Sequence, residues 1–370
     1  MNRDGPVVRS SGRPVVGSHD ILGLTSAEFS AAAALVVPTG HGIAPRLYPA
    51  ALRDGAFDPS AFGASPANLP HWLGAFHVGL MPVARMIEEE TPSGLTAKAV
   101  LTTADGREIE CVLIPMRRGE EGEVEHTLCV SSQVGCRMGC SFCETGRMGL
   151  VRHLTAGEIV SQLVSVGVHL GWRPRNLVFM GMGEALDNAD AVFQAIRVLT
   201  DQRGLHYSFE RLTVCTAGHA EGIRQLAAQG WKRLNLSVSL NATTDQARDR
   251  LMPVNRRTPL ADLQVLLAAY PQRRNFTLGV NYCLMPGLND ARADSQRIAA
   301  WCAPLGRVLV NLIPYNPGSL PLTRAPEEEE IERFISWLRE DGLPVRRRMT
   351  KGRSIMAACG QLGKARVRTI

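Results

Sequence analysis

Three thiols stand within eight residues in Cys136-Arg137-Met138-Gly139-Cys140-Ser141-Phe142-Cys143, spaced C-x3-C-x2-C. Gly135 and Gly139 let the backbone wrap tightly around them. Such a loop directs three sulfurs at one centre and supplies no fourth. A structural zinc ion takes four closed ligands. An iron–sulfur cube held by three thiolates keeps one iron open for another ligand. Three cysteines just before a β/α repeat therefore favour an open-site cluster. Two readings compete with it: zinc with His126 or His153 as fourth ligand, and three unliganded core cysteines.

Composition narrows the class of protein that holds this loop. The chain has 370 residues, 45% of them hydrophobic, which is enough for a packed core and excludes wholesale disorder. A net charge of +6 is compatible with nucleic acid without demanding it. The nine cysteines are Cys111, Cys129, Cys136, Cys140, Cys143, Cys215, Cys283, Cys302 and Cys359. An odd count with one tight cluster does not look like a secreted disulfide framework, and suggests a reducing compartment. No apolar run approaches the ~20 residues that span a bilayer, and Met1–Pro6 is followed by no signal-peptide core. The expectation is a soluble, cytoplasmic protein with no membrane role.

The elements that must position the loop follow from the pattern. Residues 1–20 are Gly-, Pro-, Ser- and Arg-rich and read as a disordered tail. Residues 21–98 read as a small, mainly helical accessory domain, a candidate for RNA binding, with a helix start at Thr25-Ser26-Ala27-Glu28 and spaced apolar residues over Ala67–Ala84. Residues 99–121 read as a β-hairpin connector, two strands turning at Asp105-Gly106. Residues 122–350 form the core. There Thr155-Ala156-Gly157-Glu158 opens a helix toward Leu170. Strands are expected at Asn176–Gly181, Arg211–Thr216, Leu234–Leu240, Phe276–Leu284, Val308–Pro314 and Val345–Met349. Helices are expected between them at Asn188–Thr200, Ala220–Gln229, Leu260–Tyr270, Asp290–Trp301 and Glu328–Arg339. This alternation predicts an α/β fold, an open or closed β/α barrel. Gly183, Glu184, Cys215, Ser239, Asn241 and Asn316 then fall at strand carboxyl ends, around one mouth. Residues 351–370 form a C-terminal tail.

The cysteine spacing resembles the radical S-adenosylmethionine superfamily. Leu128-Cys129-Val130-Ser131-Ser132-Gln133-Val134-Gly135-Cys136, Phe179-Met180-Gly181-Met182-Gly183-Glu184 and Ala357-Ala358-Cys359-Gly360-Gln361-Leu362 resemble one branch of it, the RlmN/Cfr family of RNA adenine methyltransferases. The likeness runs from about Glu110 to Leu362, and the N-terminal helical region matches only loosely. It implies a partial barrel of radical S-adenosylmethionine type.

The resemblance also implies chemistry, residue by residue. Cys136, Cys140 and Cys143 would hold one 4Fe-4S cluster whose open iron chelates S-adenosylmethionine. Reductive cleavage of that cofactor gives a radical able to attack an unreactive adenine carbon. Gly183-Glu184 would bind the cofactor's amino group. Cys215, where the family commonly has Ser, and Ser239-Leu240-Asn241, with Asn241 where His is frequent, would be further cofactor contacts, as would Asn316. Cys359 would carry the methyl group as S-methylcysteine, and a thioether to RNA would form on it. Cys129 would resolve that intermediate by a transient disulfide with Cys359, and Glu110 would accept the ring proton. The substrate would be ribosomal RNA, transfer RNA or both, methylated at adenine carbon 2, with carbon 8 or another substrate as the alternative. The electron donor would be a flavodoxin-type reductant and the protein a monomer. A cluster- or zinc-stabilised RNA-binding protein without turnover is the rival outside enzymology. Two departures bear on the target: Glu144 where a small hydroxyl residue is common, and Gly352-Arg353-Ser354-Ile355-Met356 where acidic residues are usual. Basic residues at Arg346-Arg347-Arg348, Lys351, Arg353, Lys364, Arg366 and Arg368, with Arg256-Arg257 and Arg273-Arg274, fit phosphate contact.

Overall fold

The computed structural model describes residues 17–91, 94–117, 124–271 and 273–363. Most of residues 1–20, residues 118–123 at the end of the connector, and Lys364, Arg366 and Arg368 lie outside the described residues.

Short apolar runs closed by Gly, Asn or Pro form the central strands. Two two-residue strands, β1 (His19–Asp20) and β2 (Phe76–His77), pair apart from them. The large sheet contains β3 (Val83–Thr91), β4 (Gly94–Thr102), β5 (Glu108–Arg117) and β6 (Val124–Cys129). A separate ribbon pairs β7 (Gln133–Cys136) with β8 (Gly149–His153). The large sheet continues with β9 (Asn176–Phe179), β10 (Leu212–Thr216), β11 (Asn235–Ser239), β12 (Leu278–Leu284), β13 (Val308–Pro314) and β14 (Val345–Arg347). Its order is β14-β13-β12-β11-β10-β9-β6-β5-β4-β3. From β6 to β14 neighbours run parallel, and β5, β4 and β3 extend the β6 side antiparallel. Strands β3 and β14 are the two edges, so the barrel is partial.

Helices return the chain between parallel strands. Thr155 caps helix Ala156–Leu170 through a full capping box with Glu158. Helix Glu328–Glu340 buries Ile331, Phe334, Ile335 and Leu338, the i, i+3, i+4, i+7 stripe of a helix lying on a sheet. Each such side chain contributes about 1.5–3 kcal/mol by leaving water. Its acidic first turn, Glu328–Glu330, complements the helix dipole. No helix among the described residues is long and apolar enough to cross a membrane.

The N-terminal region departs in part from a mainly helical reading. Helices Ser26–Val36, Ala44–Asp54 and Leu69–Ala75 gather around Phe29, Tyr48, Trp72 and Phe76. That apolar cluster is continuous with the barrel core, and the Ser26 amide and hydroxyl bond Asp201 at 2.6 and 3.0 Å. Yet Val83–Thr91 is a strand. It carries Glu88, Glu89 and Glu90 because an edge strand tolerates, and is protected by, charge. The hairpin read as a connector is therefore two strands of a three-stranded antiparallel extension of the main sheet. Strand β6, absent from the sequence reading, joins that extension to the parallel strands and ends on Cys129.

Candidate active site

The ribbon β7–β8 presents the cysteine loop. Cys136 pairs with Gly149, and the chain reaches it through Gly135 at φ +77°. A Cβ on Gly135 would lie 1.9 Å from the Gly149 carbonyl oxygen, so only glycine fits. Gly135→Ala is expected to cost at least about 2 kcal/mol and to lower iron content with it. Thermal melting and iron assay of the purified variant check this; a normal melting temperature with full iron would refute it.

The three cluster thiols, Cys136, Cys140 and Cys143, line one cavity with Gly183, Glu184, Cys215, Ser239, Asn241, Asn281, Cys283 and Cys359. It encloses about 940 Å3 when its solvent-open mouth is included. Burial pushes the Cys136 thiol up to about 12, and raises Cys140 and Cys143 as well. A metal centre bound by these thiols would have to displace their protons. Neither His126 nor His153 lines the cavity; His153 bonds the Gln133 amide and the Arg137 guanidinium instead. Among the described residues no three His, Cys, Asp or Glu side chains are gathered around a single-ion site.

The strand ends place the other candidate residues at or near this cavity. Gly183 has φ +104°, and a Cβ there would meet Gln133 Cβ at 2.7 Å. Glu184 is buried; its carboxylate accepts the N–H groups of Ala217 (2.8 Å) and Leu186 (3.2 Å). Burial nevertheless pushes it up to about 7, against those hydrogen bonds. Cys215 ends β10, where its thiol hydrogen-bonds the Ser237 side chain, and burial pushes it up to about 12. Asn241 adopts φ +55°, with its side chain occupied: Oδ1 accepts from Cys283 N–H (2.9 Å) and Nδ2 meets the Met252 sulfur (3.3 Å). Leu240 is buried outside the cavity and offers its carbonyl to Arg248. Asn316 is buried outside the cavity lining, with Oδ1 unpartnered. Asn281 Nδ2 is likewise buried without a partner and lies in the wall. Three thiols, a buried carboxylate and unsatisfied amide groups at one strand mouth fit a thiolate-bound cluster with an amino-acid ligand beside it.

Cys359 arrives from the C-terminal segment. It is accessible at the cavity mouth, though the protein around it still raises its thiol. The Glu144 N–H holds the Gly360 carbonyl (2.8 Å), the Thr145 hydroxyl holds the Leu362 carbonyl, and Gln361 holds the Pro317 carbonyl (2.9 Å). Cys129, buried at the end of β6 and outside the cavity lining, is near enough to Cys359 and Cys215 for each to oppose its ionisation. All nine cysteines are free thiols. Glu110 is buried on β5 outside the cavity lining; burial raises its carboxyl, and Lys98 at 3.4 Å partly offsets this.

Both departures from the family pattern have local partners. Glu144 turns to the Ser319 amide and hydroxyl (2.6 and 2.7 Å) and packs against Gly318. The Gly352 amide and the Ser354 amide and hydroxyl donate to Glu89, so β3 supplies the carboxylate the tail lacks. Several basic residues are engaged internally: Arg347 with Glu328 and Glu332, Arg273 with Glu210, Lys351 with the Pro115 carbonyl and Arg353 with the Tyr315 carbonyl. Sequence reasoning missed Arg248. Its buried guanidinium ties the carbonyls of Leu240 (3.1 Å), Ala217 (2.7 Å) and Ser239 (3.1 Å) into one mouth. An arginine in a charged helical run, Asp245–Leu251, gives no signal of burial.

Comparison with known proteins completes the assignment. Residues 130–297, from the end of β6 to beyond the cysteine loop and four strand ends, match the radical SAM superfamily. The chain is 42% identical over 303 residues to the probable dual-specificity RNA methyltransferase RlmN 1 of Protochlamydia amoebophila, covering 82% of each. It is 42% identical over 330 residues to a probable RNA methyltransferase of Sorangium cellulosum, covering 83% of this chain and 80% of that one. The crystal structure of a radical SAM methyltransferase from Sphaerobacter thermophilus superposes with a TM-score of 0.81 at 35% identity, over 93% of this chain and 98% of that one. Identity of this order across most of each chain, with the same fold, places the protein in the RlmN family of radical S-adenosylmethionine RNA methyltransferases, which use a 4Fe-4S cluster and S-adenosylmethionine.

Proposed function

We propose that this enzyme methylates carbon 2 of adenine in ribosomal RNA, transfer RNA or both, through an S-methyl group on Cys359 and a covalent RNA–protein intermediate. The observation that carries the reading is the placement of Cys359 in the same cavity wall as Cys136, Cys140, Cys143 and Glu184, with Cys129 behind the lining and near enough to interact with it. When bound, the cluster and S-adenosylmethionine supply the reducing electron, the methyl group and a radical able to remove hydrogen from it. Cys136, Cys140 and Cys143 hold the cluster; Glu184 receives the cofactor's ammonium; Ser239, the Leu240 backbone, Asn241, Cys215 and Asn316 line or support its remaining contacts. Cys359 carries the methyl carbon and links it to the adenine ring. Glu110 would take the proton that leaves the ring carbon while the adduct's unpaired electron returns to the oxidised cluster. The Cys129 sulfur then bonds the Cys359 sulfur, the carbon–sulfur bond breaks with its electron pair on carbon, and that carbon takes a proton. Two electrons from a reductant restore the thiols. A flavodoxin-type donor suits the one-electron step, and the enzyme acts as a monomer.

The test is anaerobic reconstitution followed by nucleoside mass spectrometry of RNA treated with isotopically labelled S-adenosylmethionine. The expected product is 2-methyladenosine, absent from the Cys136→Ala, Cys140→Ala and Cys143→Ala variants. Labelled 8-methyladenosine would reassign the carbon, and activity retained in the triad variants would overturn the reading.

A further inference from the structure

Lys98 has no role in the chemistry above, and its side chain is 2% exposed. A buried ammonium is costly unless it is held on all sides. Strand register explains one partner: Lys98 pairs with Val112 and Val100 with Glu110, so Lys98 and Glu110 are diagonal neighbours on one face of β4–β5. Their charged groups are 3.4 Å apart. The second partner comes from the far end of the chain. Lys98 Nζ donates to the Met356 carbonyl at 3.0 Å, and the other Glu110 oxygen accepts the Gly363 N–H at 2.9 Å. One buried ion pair thus holds both ends of the turn that carries Cys359. Met356, the residue whose carbonyl is held, sits at φ +52°, a conformation a methionine adopts only under constraint.

We propose that Lys98 is a positioning residue that makes the Cys359 loop answer to the proton on Glu110. With Glu110 ionised, the ammonium bridges the carboxylate and the Met356 carbonyl and keeps the loop docked. When Glu110 takes the proton leaving the adenine ring, the carboxylate becomes neutral, the bridge loses its charge, and the Gly363 bond weakens. The Met356 backbone relaxes and the loop lifts. The release thus follows proton transfer, when Cys359 must meet Cys129 and the product must leave. This inference rests on the reading of Glu110 as proton acceptor. The groups facing Glu110 are Lys98 on β4, Arg85 on β3 and Cys111 beside it; Glu144, on the short helix Glu144–Arg147 after the cysteine loop, packs against Gly363.

Hydrogen–deuterium exchange of residues 352–363 in the cluster-loaded enzyme without RNA, across a pH series corrected for intrinsic exchange, tests the device. Strand β12 serves as the internal control for global opening. In the native enzyme the loop is expected to lose protection as pH falls through the Glu110 titration while β12 stays protected. Lys98→Met removes the bridge to the Met356 carbonyl, so residues 352–363 should stay unprotected across the series, with no transition left at the native midpoint. Lys98→Arg should restore the native profile, and Glu110→Gln should flatten it. A pH-independent native loop, or a native-like transition kept in Lys98→Met, overturns the proposal. Should Lys98→Met not fold, the Glu110→Gln profile decides: flat supports the device, and native-like pH dependence ends it. Single-turnover product formation separates the two readings. Product lost in Glu110→Gln with its loop profile unchanged keeps the proton acceptor and removes the Lys98 device. Product retained with the profile flattened keeps the device and removes the acceptor.

Discussion

Cys359→Ala enzyme will form neither methylated adenine nor a protein–RNA adduct, a loss of at least about 10,000-fold, because the methyl carbon has no sulfur to ride on. Cys129→Ala will behave differently: the adduct will form once and persist, visible as RNA that co-migrates with protein under denaturing conditions. The contrast follows from position. Cys359 is accessible in the cavity wall, whereas Cys129 is buried at the end of β6, outside the lining. Mass spectrometry of the peptide spanning Cys359 should show a methyl group in active native enzyme. Turnover by Cys359→Ala would remove the carrier role outright. Turnover by Cys129→Ala would shift attention to Cys215 and Cys283, which also line the cavity and feel the charge of Cys359. Loss on adding Cys215→Ala or Cys283→Ala would then identify the resolving thiol.

Glu184 will make the cofactor-free protein less stable as pH rises. Its ordinary value is 4.5 and burial places it at about 7 in the fold. The folded state therefore binds the proton more tightly than the unfolded chain. That contribution is full below about 4.5 and is lost as pH climbs through about 7. The slope approaches 1.4 kcal/mol per pH unit inside the window and vanishes above it. Glu184→Gln should abolish this dependence, as read by chemical unfolding of the cluster-free protein at several pH values. Cofactor affinity should move the opposite way: an ammonium needs the carboxylate, so binding of S-adenosylmethionine to the cluster-loaded protein tightens up to about tenfold per unit as pH rises toward about 7. Calorimetry showing pH-independent affinity, or a Gln variant that binds as the native enzyme does, would remove Glu184 from the ammonium site.

The parallel half of the fold was legible because local signals agreed there. Val308–Pro314 was read residue for residue, and Thr155 announced its helix through a capping box that exists. The mouth residues followed, since a strand end in such a fold faces the site. The antiparallel edge was harder. Val83–Thr91 owes its strand state to pairing with Gly94–Thr102 and lacks the apolar alternation that marks a half-buried strand. Asn241 shows the limit in the site itself. Its position past β11 was readable, but its left-handed backbone and its grip on the Cys283 N–H are properties of the folded loop. Lys98 and Arg248 were invisible for one reason: a charged residue is exposed by default. Only the folded chain shows the carbonyls that surround them.

The clasp between Glu89 and Ser354 joins positions 265 residues apart, and that between Lys351 and Pro115 spans 236. Both clasps form only after the segment carrying Cys359, the proposed methyl carrier, has been made. The cysteine loop, made some two hundred codons earlier, can mature with its iron first. Assembly therefore has a direction built into it: the cysteine loop can fold onto its strands before the segment that carries Cys359 is clasped over them.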